Sequence, residues 1–340
     1  MKVAVVGIGV AGAYLMNQLS SNHDIHVVGF ERMEEKNHDA VCAWATCENI
    51  MKDYAKKCGL DFENYILHDG KKMTVDIDDN RNICVNLKGM ISYDKLKLIQ
   101  DMIKGTNIVY NKVPQKSTLE QEFDLIIDST GFHRHYLPKL KDELWIPCIQ
   151  YKVKYDNTSP FDDFYLKAFP SLSGYFWYFP LDNGYAHIGS GDFRRKHTNE
   201  FLEYFLKKYN CTIIKKVGRP VRITPPSKCL PFNDGKKTVG VGESIGTVYP
   251  LLGEGIIPAT ICAELFINNI NNLTNYYNDV LNHFKIYSLV YNFIKMKISN
   301  NFNILKNFID LLKIYNHMKK NENRYGMEID IMNMFKLTKI

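Results

Sequence analysis

The sequence predicts an α/β fold with an α+β insert, in which a Rossmann-like domain is joined to an antiparallel-sheet domain and a helical C-terminal region. Three observations support this prediction. The chain opens with an apolar strand and a glycine-rich turn, its centre alternates aromatic with polar residues, and its last part has helical periodicity. We expect residues 1–140 and 235–270 to form the first domain, with a small strand insert near residues 65–90. Residues 141–234 are expected to form the antiparallel-sheet substrate domain, and residues 271–340 the helical region.

The amino end carries a dinucleotide-binding fingerprint. Val3 to Val6 form a predicted strand, and Gly7, Gly9 and Gly12 follow in the spacing G-x-G-x-x-G before a helical run. A helix N-terminus at this place favours a pyrophosphate, because its free N–H groups and its dipole attract anions. Glu31 ends the second predicted strand about twenty residues beyond the last glycine, where a carboxylate accepts hydrogen bonds from a ribose.

Five further elements are predicted before the central insert. Ile50 to Cys58 and Tyr93 to Ile103 have helical patterns, and Lys72 to Asn86 alternates as two strands around a turn at residues 79–80. Phe123 to Asp128 is a short apolar run, which is typical of a parallel strand that returns to the first sheet. Gly131 closes the Ser-Thr-Gly turn that follows this strand.

The chain returns to the first domain after the central insert. An apolar strand from Thr238 leads to an acidic turn at Glu243, and Pro250 precedes a Gly-Glu-Gly sequence at the start of another helix. The free N–H groups of that helix would stabilise negative charge on a bound cofactor. The residues predicted to contact a dinucleotide come from both segments: Gly7, Gly9, Val10, Ala11, Gly12, Glu31, Arg32, Gly131, Gly242, Glu243, Pro250, Gly253, Gly255 and Ile256.

The aromatic centre adds a family resemblance. Residues Gly174 to Pro180, with Gly184 and Gly189 after them, resemble the Y-x-W-x-F-P signature of the geranylgeranyl reductase family of flavoproteins. Gly240 to Ala263 resembles the flavin motif of that family, and the resemblance extends from the start of the chain to about Phe266. It implies a fold like that of p-hydroxybenzoate hydroxylase, FAD as the cofactor without a separate NADPH domain, and reduction of carbon–carbon double bonds in prenyl chains.

The chain departs from the family pattern at several positions. Glu243 stands where the family has an aspartate, and Glu254 replaces the middle glycine of a Gly-Gly-Gly sequence. An arginine that the family carries before its Phe-Asp pair is absent around residues 89–94. Cys42 aligns with the family's cysteine after the second strand, although its usual glycine neighbours are replaced. These changes bear on the substrate more than on the flavin.

An aromatic stripe is the predicted substrate wall. Tyr175, Trp177 and Phe179 alternate along one predicted strand and therefore point to one face of the sheet. Next to a flavin they would form an apolar wall for a prenyl chain, with Tyr175 and Trp177 as candidate catalytic residues and Phe179 as a substrate contact. Tyr151 and Tyr165 are further candidate substrate contacts that could supply a proton. Aromatic stripes also pack sheet cores, and that interpretation stays open.

Cys42 is the candidate catalytic residue beside the flavin, because the resemblance places it there. It would deliver a proton or set the redox balance of the site. The alternative is that Cys42 only packs, since buried cysteines are usually inert. No C-x-x-C pair occurs among the eight cysteines, and we expect no metal.

Composition and charge bear on the partners. The net charge is +6, with an excess of lysines after Ile267, and no apolar run approaches the roughly 20 residues that span a bilayer. We expect a cytoplasmic protein that binds no nucleic acid and takes electrons from a ferredoxin, a reduced nicotinamide or another external donor. The basic amphipathic helices between Tyr276 and Met318 would either contact an anionic membrane surface or cap the substrate channel.

Three functions are consistent with the sequence. The leading one is FAD-dependent reduction of isoprenoid double bonds, on a prenylated lipid or a similar long apolar chain. The second is an FAD-dependent monooxygenase or halogenase of the same fold. The third is a redox-silent flavin-binding protein, which the departures at Glu243 and residues 89–94 suggest.

Overall fold

The computed structural model describes residues 1–39, 41–78, 81–156 and 159–340 of the chain. Its strands are β1 (Lys2–Val6), β2 (His26–Phe30), β3 (Ala45–Cys47), β4 (Ile66–Asp69), β5 (Lys72–Asp78), β6 (Arg81–Asn86), β7 (Met90–Tyr93), β8 (Ile108–Val109), β9 (Leu125–Asp128), β10 (Trp145–Lys154), β11 (Phe164–Ala168), β12 (Gly174–Pro180), β13 (Tyr185–Asp192), β14 (Thr212–Arg222) and β15 (Thr238–Gly240). Its helices are α1 (Val10–Ser20), α2 (Glu48–Lys57), α3 (Lys95–Ile103), α4 (Lys116–Glu122), α5 (Thr198–Lys208), α6 (Ile256–Asn268), α7 (Leu273–His283), α8 (Lys285–Ile298), α9 (Phe308–Lys320), α10 (Glu322–Tyr325) and α11 (Ile331–Thr338).

The first sheet is parallel and has the glycine-rich turn at its centre. Its strand order is β15-β9-β1-β2-β8, and β1 pairs with both β2 and β9. Val3 and Val5 pack into the main core, whereas Ala4 and Val6 pack on the other face against Leu119 of α4. Burial on both faces explains why the strand is apolar throughout. The predicted Rossmann-like domain is confirmed, and β15 returns to it after the central insert.

The central sheet has the strand order β14-β10-β13-β12-β11-β5-β6. Its neighbouring strands are antiparallel, except that β11 and β5 run parallel. We predicted residues 65–90 as an insert of the first domain, but β5 and β6 instead extend the central sheet. They do so because Met73 to Asp76 pair with the edge that β11 would otherwise expose. The predicted turn at residues 79–80 lies outside the described residues.

The two faces of the central sheet have different neighbours. Phe176 and Tyr178 of β12 pack against Phe205 of α5 on the outer face. Trp177 and Phe179 alternate with them and join the main core on the inner face. The predicted two-residue periodicity of the aromatic segment is confirmed, and it directs one set of rings toward the first domain.

A local hydrogen bond fixes the start of α3. We predicted a helix over Tyr93 to Ile103, but Tyr93 ends strand β7 and the helix begins at Lys95. The Asp94 side chain accepts a hydrogen bond from the Lys97 N–H, as an N-cap residue does. This short link places Lys95 on the first turn of the helix.

The C-terminal region is helical, as predicted. Tyr276 of α7 and Tyr287 of α8 are buried in the main core, so these helices complete the fold. Residues near the start of α9 differ, because Leu305, Phe308 and Ile309 are exposed. In the described part of the chain, no helix combines the length and apolar character needed to cross a membrane.

Candidate active site

A cavity of about 440 Å³ joins the glycine-rich edge of the first sheet to the inner face of the central sheet. Its wall includes Val10 and Ala11 at the start of α1, Trp177 on β12 and Met334 on α11. Its lining is mainly apolar, with charged or polar side chains at a few places. This combination is typical of sites for small molecules and cofactors.

The glycine-rich turn has the form that a pyrophosphate requires. Gly7 has φ of +90°, and a Cβ on Gly12 would lie 2.0 Å from the Gly7 carbonyl oxygen, so neither position accepts a side chain. A Cβ on Gly9 would meet no atom within 4 Å, so the start of α1 is open on that side. Gly242 packs against the start of α1 from another side, since a Cβ there would lie 3.2 Å from the Ala11 methyl group. These residues fit a dinucleotide pyrophosphate.

Glu31 connects the second strand to this turn. Its Oε2 accepts a hydrogen bond from the Ile8 N–H at 2.9 Å, and its Oε1 accepts one from the Met33 N–H at 3.1 Å. A carboxylate has lone pairs beyond these two, which leaves it able to accept from ribose hydroxyls as predicted. Arg32 lies at the same edge, with its Nη1 atom 3.4 Å from Nε2 of His133, and burial lowers the pKa of that histidine.

Glu243 lies in the cavity wall, but its carboxylate already has partners. Its Oε2 accepts a hydrogen bond from Arg219 Nη2 at 2.8 Å, and its Oε1 accepts one from the Arg222 N–H at 3.0 Å. We expected this carboxylate to contact the ribityl chain or the pyrophosphate. In the structure the carboxylate bonds to β14, and its contact with a cofactor stays a prediction. Gly131 packs against this pair, since a Cβ there would lie 2.5 Å from Arg219 Nη2.

The start of α6 forms another part of the wall. Glu254, in the place of the family's middle glycine, pairs with Arg324 of α10 at 2.6 Å. Burial raises the pKa of Glu254, and the arginine compensates its negative charge. The C-terminal region therefore supports this turn directly. The residues predicted here all line the cavity: Pro250, Gly253, Gly255 and Ile256.

The aromatic stripe lines the cavity as predicted. Tyr175, Trp177 and Phe179 face it from one side of β12. The Tyr175 hydroxyl donates to the Leu252 carbonyl at 2.5 Å, and burial raises the pKa of Tyr175, so the phenol keeps its proton. The indole of Trp177 depends on Gly189, because a Cβ at that position would lie 2.1 Å from it. The wall is thus both apolar and closely fitted.

The predictions for Tyr151 and Tyr165 are wrong, because both side chains lie on the outer face of the central sheet. They pack with the cluster under α5, and Tyr165 donates a hydrogen bond to Asp76 at 2.8 Å. Side chains alternate along a strand, so their neighbours Gln150 and Leu166 face the cavity instead. Neither tyrosine can contact a substrate held there.

Cys42 lies in the cavity wall beside a buried cation. Its sulfur accepts hydrogen bonds from Lys95 Nζ at 3.1 Å and from the Trp44 N–H at 3.3 Å. The Lys95 side chain is only 6% exposed. Gln150 holds the segment by donating to the Cys42 carbonyl at 2.9 Å. The sulfur therefore has two hydrogen-bond donors, and one of them is a lysine side chain.

Two cations of the site were missed in the sequence. Lys95 directly follows the Tyr93-Asp94 pair that aligns with the family's Phe-Asp. The sequence therefore locates Lys95 beside a family motif, but it does not show that the side chain points toward Cys42. Arg219 lies on β14, a strand that was not predicted from the sequence. Within the described ranges, no group of three or more His, Cys, Asp or Glu side chains could hold a metal ion.

Comparisons with known proteins bear on the fold and on the relatives of this chain. No protein-family model matches the chain. An uncharacterized protein of Methanocaldococcus jannaschii is 25% identical over 311 residues, which are 78% of this chain and 82% of that protein. The digeranylgeranylglycerophospholipid reductase 2 of Methanothermobacter thermautotrophicus is 33% identical over 124 residues, but these cover only 35% of this chain and 31% of that reductase.

The solved structures agree in fold. A geranylgeranyl bacteriochlorophyll reductase-like protein from Thermoplasma acidophilum has a TM-score of 0.71 at 15% identity, over 98% of this chain and 94% of that one. Flavin-dependent halogenases and a probable FAD-dependent monooxygenase share the fold. The fold is that of FAD-dependent oxidoreductases, and the predicted FAD cofactor agrees with it. Within this class, the resemblance to geranylgeranyl reductases that the motifs predicted is confirmed.

Proposed function

We propose that the chain is an FAD-dependent reductase that saturates carbon–carbon double bonds of geranylgeranyl-type isoprenoid chains, in a membrane lipid or another prenylated compound. The observation that carries this proposal is a single cavity shared by the dinucleotide-binding turn, the aromatic wall and the Cys42–Lys95 pair. An isoprenoid chain would bind there by removing apolar area from water, at roughly 25 cal/mol per Å² before the cost of association.

The residues of both segments would hold FAD. The glycine-rich turn fits its pyrophosphate, Glu31 its adenosine ribose, and the start of α6 the edge of the flavin ring. When bound, FAD supplies the hydride chemistry. Trp177 and Phe179 would hold the alkene against it and exclude water from the cavity.

Saturation of an alkene also requires a proton on the second carbon, and we assign its delivery to Cys42. The thiol would transfer its S–H proton to that carbon as the hydride reaches the other. The resulting thiolate would be stabilised by the Lys95 ammonium at 3.1 Å and the Trp44 N–H at 3.3 Å. Lys95 would then return a proton to the sulfur and recover its own from solvent. Electrons would come from an external donor, such as a ferredoxin or a reduced nicotinamide.

The rival function is oxygen-dependent. Halogenases and a monooxygenase among the structural neighbours share the fold, so oxygenation or halogenation of an apolar compound is the second candidate. The chromophore and any bound lipid would be extracted from the purified protein and identified by mass spectrometry. Oxygen consumption would then be followed with NADPH present. FAD with no coupled oxygen consumption supports the reductase, whereas rapid NADPH-dependent oxygen uptake supports the rival.

A further inference from the structure

An exposed apolar surface lies at the start of α9 and on α11. Leu305 is 85% exposed, Ile309 68% and Met332 62%. Phe308 stacks on Phe335 with ring centroids 6.3 Å apart and an angle of 13°, which joins the two segments into one surface. We call these five residues the C-terminal apolar surface.

Packing inside the fold does not account for this surface. The opposite side of α9 is already buried, through Leu311, Ile314 and Met318. The first turn of the helix therefore also presents apolar side chains to solvent, at Phe308 and Ile309. Single exposed apolar residues are ordinary, but a contiguous group of this kind marks an interaction surface.

The C-terminal apolar surface is separated from the active-site cavity by one short helix. Asn333, Met334 and Leu337 of α11 line the cavity, whereas Met332 and Lys336 of the same helix are exposed. Only Thr338 is buried among the residues of α11. This helix is therefore a thin wall with the cavity on one side and the exposed surface on the other.

The charges around the surface select the partner. Four lysines and two aspartates lie next to these residues in the sequence, which leaves a local excess of two positive charges. Asp310 pairs with Lys313 at 3.2 Å, and Asp330 caps α11 by accepting from the Asn333 N–H at 2.9 Å. Apolar side chains flanked by lysines fit the interface of an anionic bilayer, where the rings and aliphatic groups enter the headgroup region. The lysines are Lys306, Lys313, Lys336 and Lys339.

We infer that the C-terminal apolar surface docks on an anionic lipid bilayer, and that an isoprenoid chain enters the cavity past α11. The second part rests on the proposed function, while the docking itself needs only the exposed residues and their charges. Docking would bring the wall formed by α11 against the membrane, so that a lipid-borne chain reaches the cavity without crossing water.

The test is co-sedimentation of the full chain with vesicles of phosphatidylcholine alone and of phosphatidylcholine with phosphatidylglycerol. We expect binding to the anionic vesicles that weakens in high salt. The double variant Leu305→Asp with Ile309→Asp should bind at least tenfold less. The matched control is Ile213→Asp with Ile214→Asp on β14, where both residues are also exposed, at 50% each; it should bind like the wild type.

Several results would overturn the inference. These are absence of wild-type binding, equal binding by the two double variants, or a change of oligomeric state in gel filtration that only the Leu305/Ile309 variant shows. The last would make the surface a contact between copies of this chain. A second arm compares reduction of a prenyl lipid in vesicles and in detergent. If the chain binds vesicles but reduces the lipid neither in vesicles nor in detergent, the docking stands and the proposed function fails. If it reduces the lipid in detergent but does not bind vesicles, the proposed function stands and the docking fails.

Discussion

The buried ammonium of Lys95 lies 3.1 Å from the sulfur of Cys42, in the wall of the cavity that the aromatic stripe lines. These residues come from different segments, and the Trp44 N–H also donates to the sulfur. In the proposed reaction, this pair supplies the proton donor and the cation beside it. It links the fold most directly to the proposed chemistry.

Replacing either member of this pair should slow reduction without emptying the flavin site. Since a positioned proton donor typically contributes about 10²-fold or more, Cys42→Ala and Lys95→Met should each lower the rate by that order. Lys95→Arg should recover part of the loss. Stopped-flow reduction of a prenyl substrate measures this, with flavin content read from the absorbance.

The controls use neighbouring residues of the same type. Lys97→Met removes an exposed lysine from the same helix, and Cys84→Ala removes an exposed thiol on β6. Alkylation of Cys42 by iodoacetamide should also change in rate in Lys95→Met, because the ammonium that donates a hydrogen bond to its sulfur is gone. Unchanged alkylation and unchanged turnover in Lys95→Met would return Cys42 to a packing role.

Gly9→Val should remove FAD but leave the fold intact. A Cβ at Gly9 would meet no protein atom within 4 Å. The valine side chain would therefore enter the open space at the start of α1, where we expect the pyrophosphate to bind. Gly12→Val should instead unfold the domain, since its Cβ would lie 2.0 Å from the Gly7 carbonyl oxygen. Thermal melts and flavin titrations distinguish the two variants. Full flavin binding by Gly9→Val would show that the pyrophosphate does not bind at this turn.

Trp177→Ala should weaken long isoprenoid substrates more than short ones. The indole is 8% exposed and lines the cavity, so its removal takes apolar contact from the part of a chain that passes it. KM over a chain-length series measures this effect. Tyr151→Phe is the control, because that ring lies on the outer face of the sheet and should change nothing. Equal losses for short and long chains would contradict an extended apolar site.

Acid should destabilise the protein through His187. Burial lowers the pKa of His187 to about 4, from an ordinary value of 6.5. As pH falls from about 6.5, the unfolded chain binds a proton at this histidine and the folded chain does not. The free energy of unfolding should therefore fall by up to about 3 kcal/mol between pH 6.5 and about 4.

Urea unfolding at several pH values checks this loss. His187→Gln should flatten the pH dependence in that window, while the same change at the exposed His26 should leave it as it is. The ring of His187 packs edge-on against Trp44, with ring centroids 4.7 Å apart. Protonation of His187 would therefore disturb the segment that carries Cys42. An identical pH profile in His187→Gln would exclude this histidine as the cause.

The sequence allowed prediction of the parts that depend on local pattern. The glycine spacing from Gly7 to Gly12 identified the turn because backbone geometry demands it, and period-two alternation placed Tyr175 and Trp177 on one face. The same alternation was not applied to Tyr151 and Tyr165, and those assignments were wrong. Each lies one residue away from a cavity-lining position.

Contacts between distant segments could not be predicted in this way. The Arg324 side chain reaches Glu254 across 70 residues, and Lys95 reaches Cys42 across 53. The pairing of Glu243 with Arg219 was likewise not predicted. Such pairings depend on how the C-terminal helices and β14 pack against the first domain, and no local pattern encodes that packing.

Reduction of an isoprenoid double bond in this cavity can be tested in a single anaerobic reaction. Protein loaded with FAD and reduced chemically would be mixed with a geranylgeranyl lipid, and the product analysed by mass spectrometry. We expect the product to gain one pair of hydrogens for each double bond reduced, with reoxidation of the flavin, and to gain them much more slowly with Cys42→Ala. Flavin that stays reduced, with a substrate of unchanged mass at every chain length tried, would contradict this expectation.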